Sequence, residues 1–214
     1  MQNIDAFKQL LQTPRRIAIV THPKPDADAL GSSLGLAGYL KKGGHQVKVV
    51  VPTDYPKFLQ WMPGNDGVLN HERPEHAALA RQAFAEAEVI FCLDFPCLSR
   101  IGELGELVRK SAARKVLIDH HLQPEMFADF TLSRTEAAAT CQLIYELIVD
   151  LGAADLIDAE IAECLYAGIM TDTGSFRHSN TTRQVYLVCA DLVGRGVSIN
   201  RINRLVYDTN TEER

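Results

Sequence analysis

Acidic and imidazole side chains follow three apolar runs of this chain, at the point where each run ends. In chain order they are His22, Asp26 and Asp28, then Asp94, and then Asp119, His120 and His121. Carboxylates and imidazoles bind divalent cations, and they also transfer protons in catalysis. An unpaired charge is costly to bury. Side chains of these types beside buried strands therefore indicate a site in which they have partners.

The elements that must position these residues are strands of a parallel sheet. Apolar runs alternate with helical patterns over the first ~130 residues, which predicts an α/β fold with a mostly parallel five-stranded sheet and helices on both faces. The predicted strands cover residues 16–21, 46–51, 88–93, 115–119 and 129–132. Because parallel strands end at one edge of a sheet, residues that are distant in sequence converge there in a crevice.

Helices are predicted between these strands and throughout the last third of the chain. They cover residues 4–11, 29–42, 74–87 and 101–111, and then 136–151, 158–171, 183–193 and 198–207. One further carboxylate, Asp172, lies where the apolar helix 158–171 breaks into a Thr/Gly turn. This is an unusual position for an unpaired carboxylate, so Asp172 joins the candidates.

The candidate residues point to a pair of divalent cations. Four aspartates in one pocket repel one another, and cations relieve that repulsion. The mixture of donors suits Mn²⁺ and tolerates Mg²⁺, Co²⁺ or Zn²⁺, while the lack of thiolates argues against structural zinc. Asp26 and Asp28, two positions apart in a predicted loop, can serve different ions, and Asp94 is placed to bridge them. Two ions about 3.5–4 Å apart that share a carboxylate and a water hydrolyse phosphoesters.

Composition and charge exclude several classes of protein. The net charge of −5 argues against binding of duplex DNA, which needs many Lys and Arg contacts. The polar, acidic start does not resemble a signal peptide, and no apolar run approaches the ~20 residues of a membrane span. The five cysteines form no C-x-x-C pair and lie mostly in apolar runs. They are expected to be buried and reduced, which favours a cytoplasmic location.

Four motifs in chain order resemble those of the DHH phosphoesterases. They are His22-x-x-x-Asp26-x-Asp28-Ala29-x-Gly31-Ser32, the isolated Asp94, Asp119-His120-His121, and Thr171-Asp172-Thr173-Gly174. The resemblance extends from residue 18 to about residue 182. Within the family, the stretch 171–182 is most similar to the branch of oligoribonuclease and 3′-phosphoadenosine-5′-phosphate (pAp) phosphatases, the NrnA type.

The resemblance implies two Mn²⁺ sites that share one carboxylate. The first set of ligands would be His22, Asp26 and Asp94, and the second would be Asp28, Asp94, His120 and Asp172. His121 would contact the scissile phosphate, and Asp119 would orient the imidazoles. The implied function is hydrolysis of short oligoribonucleotides, dinucleotides and pAp by attack of a hydroxide that bridges the two ions.

The resemblance also carries an expectation about domains. Residues 1–207 would form the catalytic domain, and residues 208–214 would be a tail or the start of a linker to an additional C-terminal substrate-binding domain of the DHHA1 type. Relatives hold the nucleotide with a glycine-rich segment and basic residues in that domain. We therefore expect weak activity from the 214-residue chain by itself.

Weaker candidates for substrate contact also exist. Ser32 is predicted near the start of the helix 29–42, where free N–H groups attract phosphate. Arg134 is a candidate to clamp phosphate or to form a surface ion pair. The same helix contains Gly31, Gly35 and Gly38, whose spacing matches no phosphate-binding sequence motif. These small residues are expected to let the helix pack against the sheet. The histidines in polar segments, which are expected to be solvated, are His45, His71 and His76.

Other functions remain open at this point. Within the same chemistry, the alternatives are a RecJ-like single-strand exonuclease, a pyrophosphatase or polyphosphatase, and a cyclic-dinucleotide phosphodiesterase. From a different class, the chain is compatible with a non-catalytic module that binds metal or nucleotide. The complete set of ligand residues favours an enzyme over the binding module.

Overall fold

The computed structural model describes residue 1 and residues 3–208. The strands of this part form one sheet, and they are β1 (Arg16–Val20), β2 (Gln46–Val51), β3 (Leu69–Asn70), β4 (Val89–Leu93), β5 (Arg114–Asp119) and β6 (Phe130–Ser133). All neighbouring strands pair in parallel. The α/β prediction is confirmed, but the sheet has six strands rather than five. The missed strand, β3, has two residues and is too short to show an alternating pattern.

The order of the strands locates a crevice. The order is β3-β2-β1-β4-β5-β6, so the chain proceeds outward from β1 in one direction and then crosses to β4 and proceeds in the other. At such a point the connections that follow the two central strands leave on opposite sides, and ligands bind between them at the carboxyl ends. The crevice of this fold therefore lies just beyond Val20 and Leu93.

Helices cover both faces of the sheet. In the described part they are α1 (Ile4–Leu10), α2 (Ala27–Lys42), α3 (Pro74–Glu86), α4 (Glu103–Lys110), α5 (Thr140–Asp150), α6 (Ala159–Asp172), α7 (Arg183–Gly194) and α8 (Ile199–Asn203). β4 is buried on both sides because its side chains alternate between two cores. Phe91 packs into the core that contains α2, α5 and α6, and Ile90 packs into the core that contains α3 and α4.

Several predicted helix bounds are wrong. α2 begins at Ala27 rather than at residue 29, because the Asp26 side chain caps it by accepting the N–H groups of Asp28 and Ala29. α5 begins four residues later than predicted. The helix predicted over 101–111 is a 3₁₀ turn, Leu98–Ile101, followed by α4. The helix predicted over 198–207 is α8 followed by a π-helical turn, Arg204–Asp208. Residues 209–214 lie outside the described residues.

The glycines of α2 pack against a helix rather than against the sheet as predicted. A Cβ at Gly35 would lie 2.7 Å from Leu165 Cδ2, and one at Gly38 would lie 2.8 Å from Ile161 Cγ1, both on α6. Gly168 of α6 faces the start of α2 in the same way, because its Cβ would lie 2.9 Å from the Asp28 Cα. Small residues therefore let α2 and α6 approach closely, and this approach brings their ends together at the crevice.

The remaining predictions about burial have mixed outcomes. His45 is buried rather than solvated, and its Nδ1 accepts the Arg15 N–H at 3.1 Å. His71 is also largely covered, with its Nε2 3.4 Å from Glu103. The cysteines form no disulfide, and all of them except Cys97 are buried, as expected. Within the described residues, no helix combines the length and the apolar character that a membrane span requires.

Candidate metal centre

Asp94 lies at the centre of the crevice, directly after β4. Its side chain is buried, and its N–H donates to Ile118 O at 3.0 Å. Its backbone φ is 64°, in the left-handed region that few non-glycine residues adopt. Strained backbone of this kind persists where the surrounding structure holds it and is concentrated at functional sites. The two oxygens of this carboxylate point toward two different groups of side chains.

The outer group consists of His22 and Asp26. His22 Nε2 lies 3.3 Å from Asp94 Oδ2 and 3.9 Å from Asp26 Oδ2. The other ring nitrogen, Nδ1, lies 2.9 Å from Pro23 O, and a proton on Nδ1 leaves the Nε2 lone pair directed at the carboxylates. The Asp26 side chain is 59% exposed. The outer group therefore lies on the open side of the site.

The inner group consists of Asp28, His120 and Asp172. His120 Nε2 is at its centre, 3.8 Å from Asp28 Oδ2 and 3.5 Å from Asp172 Oδ2. It also lies 3.5 Å from Asp94 Oδ1, so Asp94 faces the inner group with one oxygen and the outer group with the other. Ligand atoms of His22, Asp26 and Asp94 lie within 4.8 Å of one another, and so do those of the inner group.

The start of α5 supports the inner group through backbone contacts. Asp28 accepts the N–H of Thr140 on one oxygen at 2.7 Å and the N–H of Cys141 on the other at 2.8 Å. The Thr140 hydroxyl donates to Asp94 Oδ1 at 2.9 Å. Ala137 O lies 3.3 Å from His120 Nδ1 and orients that ring. Residues 137–141 therefore contact three of the candidate ligands.

Asp119 orients one of the two imidazoles that follow it. It is completely buried, and its Oδ1 lies 2.7 Å from His121 Nδ1. His120 is instead oriented by a backbone carbonyl, so the prediction that Asp119 orients both rings is wrong for His120. The side chain of His121 is 44% exposed and lies on the open side of the site. Among the described residues, Asp119 Oδ2 is buried without a hydrogen-bond partner.

Repulsion and burial shift the pKa values of this cluster strongly. Burial, followed by repulsion from Asp94 and Asp172, raises the pKa of Asp28 well above its usual value. Burial and repulsion from Asp26 and Asp94 raise the pKa of Asp172 to about 8. Burial also opposes the ionisation of Asp94, but the hydrogen bond and charge of His22 hold the pKa of Asp94 below its usual value. The folded chain thus concentrates more negative charge than its own groups compensate.

The donor set fits divalent cations. Across residues 1 and 3–208, the ion pairs made by these carboxylates are with histidines and not with Lys or Arg. Histidines neutralise a carboxylate only when they are protonated. A mixed set of carboxylate oxygens and imidazole nitrogens, without thiolates, is suited to Mn²⁺ and related ions. The arrangement offers two neighbouring positions for cations, with one carboxylate between them.

A comparison with protein families finds a match over most of this chain. The family model described as "DHH family, N-terminal domain" matches residues 16–169. The chain belongs to the DHH family. The match covers β1 to β6 and most of α6, and it includes every residue of the inner and outer groups except Asp172.

This DHH chain is similar to curated proteins and to solved structures. It is 36% identical over 183 residues to the "Bifunctional oligoribonuclease and PAP phosphatase NrnA" of Thermus thermophilus, which covers 86% of this chain and 51% of that protein. It is 28% identical over 194 residues to the protein of the same description from Bacillus subtilis. That match covers 90% of this chain and 57% of the relative. The structure of an exopolyphosphatase-related protein from Bacteroides fragilis superimposes on this chain with a TM-score of 0.94 at 42% sequence identity. The superposition covers 98% of this chain and 61% of that protein's chain. The DHH chain thus spans about half the length of the curated relatives it matches.

The DHH chain does not present Ser32 to a substrate, so that prediction is wrong. Ser32 lies in the second turn of α2, is completely buried, and donates its hydroxyl to Ala29 O at 3.2 Å. Arg134 is half-exposed, and its guanidinium forms an ion pair with Glu146. This is the surface ion pair that was the alternative to a phosphate clamp. A contact between Arg134 and substrate stays a prediction.

Two polar residues of the DHH site were missed from the sequence. Thr140 is completely buried against Asp94, yet it follows three alanines in a run that shows only helical periodicity. Asn180 lies in the stretch 171–182 and donates to Asp172 O at 3.2 Å and to Ala138 O at 3.4 Å. It thereby joins the loop after α6 to the start of α5. The only sequence signal for Asn180 was its position inside that stretch.

Proposed function

We propose that this chain is the catalytic half of a two-cation phosphoesterase that hydrolyses short oligoribonucleotides, dinucleotides and pAp. The observation that carries the proposal is the position of Asp94 between two groups of ligands. One oxygen lies 3.3 Å from His22, and the other lies 3.5 Å from His120. A carboxylate shared in this way is the structural requirement of a two-metal hydrolytic site.

Each group would hold one divalent cation, with Mn²⁺ as the preferred ion. His22 and Asp26 with Asp94 Oδ2 would hold the first, and the inner group with Asp94 Oδ1 would hold the second. The bound cations would neutralise charge that develops on the phosphoryl oxygens and would activate water for attack on phosphorus. Mg²⁺ and Co²⁺ are compatible with the same donors. Asp28 would be a ligand of the second cation. Both of its oxygens also accept backbone N–H groups, and these hydrogen bonds hold the carboxylate in one orientation.

His121 is proposed to contact the scissile phosphate. The Nδ1–H group donates a hydrogen bond to Asp119 Oδ1, and in the protonated ring the Nε2–H group would donate to a phosphate oxygen. The hydrogen bond with Asp119 is also the largest cause that raises the pKa of His121, followed by burial, which acts in the opposite direction. Asp119 is buried and directed at the ring, so its role is to position His121 rather than to react.

The substrate class is supported by the relatives. The relatives from Thermus thermophilus and Bacillus subtilis are named as oligoribonuclease and PAP phosphatase. The matches to these two relatives cover 86% and 90% of this chain. Their greater length leaves the expectation of a C-terminal substrate-binding domain as a prediction.

Release of mononucleotide from a dinucleotide, and of phosphate from pAp, tests the proposal. We expect turnover with Mn²⁺, loss of turnover with a chelator, and restoration when Mn²⁺ is added back. The control is Asp119→Ala, which retains all six candidate ligands but leaves His121 unpositioned. Turnover of the wild-type protein that does not exceed this control would contradict the proposed substrates.

Elemental analysis distinguishes the enzyme from a binding module. We expect two equivalents of Mn²⁺ per chain together with turnover. Two bound ions without hydrolysis of a dinucleotide, pAp or pyrophosphate would instead support a non-catalytic module. Hydrolysis of pyrophosphate in preference to the nucleotides would support the pyrophosphatase alternative.

A further inference from the structure

A cleft of about 610 Å³ opens beside the outer group. It is lined by residues 24–27, 54–56, 58–59 and 206–207, together with Thr171 next to the ligand Asp172. Asp26 forms part of its wall, so one end of the cleft is continuous with the candidate metal centre. This volume is within the range of about 300–1,000 Å³ that is typical of small-molecule sites. We call this space the Tyr55 cleft.

Aromatic residues and prolines are five of the twelve described residues that line the Tyr55 cleft. Tyr55 and Phe58 are half-buried, and Tyr207 is 38% exposed at the rim. Pro25 is buried, and Pro56 completes the same wall. Rings that are partly open to solvent provide flat apolar surfaces on which another ring can stack. Every nucleobase has such a face, so stacking of this type accepts bases of different sequence.

Hydrogen bonds hold two of the three rings of the Tyr55 cleft in position. The Tyr55 hydroxyl donates to Asn65 Oδ1 at 2.7 Å. The Tyr207 hydroxyl lies 2.9 Å from Ser175 Oγ, in the loop that follows Asp172. A ring that is already fixed loses less conformational freedom when a ligand stacks on it. The cleft is therefore prepared for a flat ligand.

A cation lies at the same cleft. Lys24 is exposed and is the one Lys or Arg among the described residues that line the cleft. Its backbone adopts φ 53°, and its N–H donates to Thr53 Oγ1 at 2.7 Å. An ammonium group two residues from Asp26 provides attraction for an anion that would otherwise be repelled by the acidic cluster.

We propose that the Tyr55 cleft binds the nucleobase and ribose of the nucleotide whose phosphate lies at the metal centre. The base stacks against the rings that line the cleft together, Tyr55, Phe58 and Tyr207, and Lys24 faces the phosphate. This inference rests on the proposed function and adds a reason for its substrate class. Inorganic pyrophosphate and polyphosphate have no ring to occupy the cleft, whereas nucleotides do. Because stacking does not distinguish bases, the subsite accepts any of them.

Binding of AMP and of ribose 5-phosphate, measured by calorimetry without turnover, tests the proposal. The two ligands differ in the base and share the phosphate. We expect AMP to bind roughly tenfold more tightly, the effect of one stacked base. In Phe58→Ala and Tyr207→Ala we expect this preference to fall to about twofold or less. Met126→Ala, at a side chain that is 92% exposed outside the cleft, is the control and keeps the preference.

A kinetic measurement distinguishes failure of the subsite from failure of the proposed function. For a dinucleotide, Phe58→Ala is expected to raise KM about tenfold while kcat and metal content stay close to wild type. Equal affinity of the wild-type protein for AMP and ribose 5-phosphate would overturn the subsite even if dinucleotides are hydrolysed. A base preference that appears only after deletion of residues 209–214 would assign the cleft to the chain's own C-terminal segment and would also overturn the proposal. Tight binding of AMP without any turnover would support the subsite and contradict the enzyme.

Discussion

The inner and outer groups of the candidate metal centre contain similar residues but are supported in different ways. Asp28, in the inner group, is completely buried and accepts two backbone N–H groups from the start of α5. Asp26, in the outer group, has a side chain that is 59% exposed and is held by its capping role at α2. The comparison shows that two carboxylates two positions apart can differ completely in environment. The inner group is built by packing, and the outer group is built by a loop and a helix end.

This difference predicts that the two groups respond differently to loss of cations and to substitution. The inner group carries the repulsion between buried carboxylates, so its effects should include stability. In the outer group the Asp26 carboxylate is mostly exposed, so loss of its charge should affect binding and turnover rather than stability. The predictions below test this contrast, beginning with the largest expected effect.

The largest effect concerns the inner group without cations. Burial and repulsion raise the pKa of Asp172 to about 8 from an ordinary value of 3.8. Because the pKa is higher in the folded state, protonated Asp172 favours folding, and this contribution is lost as the pH rises from about 4 through about 8. In chelator, we expect the free energy of unfolding of the wild type to fall relative to Asp172→Asn over this range, on the order of a few kcal/mol.

Denaturant unfolding at a series of pH values measures this difference. Excess Mn²⁺ should stabilise the wild type and remove its disadvantage, because a bound cation compensates the ionised carboxylates. A constant difference between the two proteins across this pH range would show that Asp172 does not carry the repulsion.

The second prediction concerns the shared carboxylate. Asp94→Asn removes the charge that both groups use, while asparagine tolerates the left-handed backbone of φ 64°. We expect kcat/KM for a dinucleotide to fall more than ~10²-fold and binding of both Mn²⁺ ions to weaken. Circular dichroism checks that the fold is retained. Wild-type activity in this variant would refute the bridging role.

The third prediction separates the two roles of Asp26. Asparagine caps a helix as well as aspartate does, so Asp26→Asn should leave the melting temperature nearly unchanged while turnover falls about 10–100-fold. The matched variant Asp26→Ala loses the cap as well and should be less stable by about 1 kcal/mol. Equal stability of the two variants would show that the cap at α2 does not contribute.

The smallest expected effect concerns Thr140, which supports Asp94 without being a proposed ligand. Thr140→Val removes the hydroxyl that donates to Asp94 Oδ1 and keeps the shape of the buried side chain. We expect about a tenfold loss of kcat/KM and a weaker second Mn²⁺ site, the lower end of the range for positioning groups. Thr140→Ser keeps the donor and should restore both properties. Calorimetric titration with Mn²⁺ measures the affinities, and equal affinity in the valine variant would contradict the positioning role.

The sequence predicted the main features of the site because they depend on local patterns. An apolar run that ends in a carboxylate or an imidazole indicates a strand end, and parallel strands end at one edge. His22, Asp94 and His120 accordingly lie together, as expected. The strand β3 was missed because two residues carry no periodic signal, and the start of α2 was misplaced because Ala27 and Asp28 were interpreted as loop.

The amino-acid sequence by itself determined the parallel α/β class, the family and the set of candidate ligands. The tertiary structure alone decided how those ligands are supported. The contacts of Asp28 with Thr140 and Cys141 join residues 112 and 113 positions apart, and no local pattern encodes such a contact. Burial of Ser32 was likewise decided by the packing of α2 against other elements. The type and order of side chains identify the chemistry that is available, whereas the choice of which donor meets which acceptor depends on how separate elements pack.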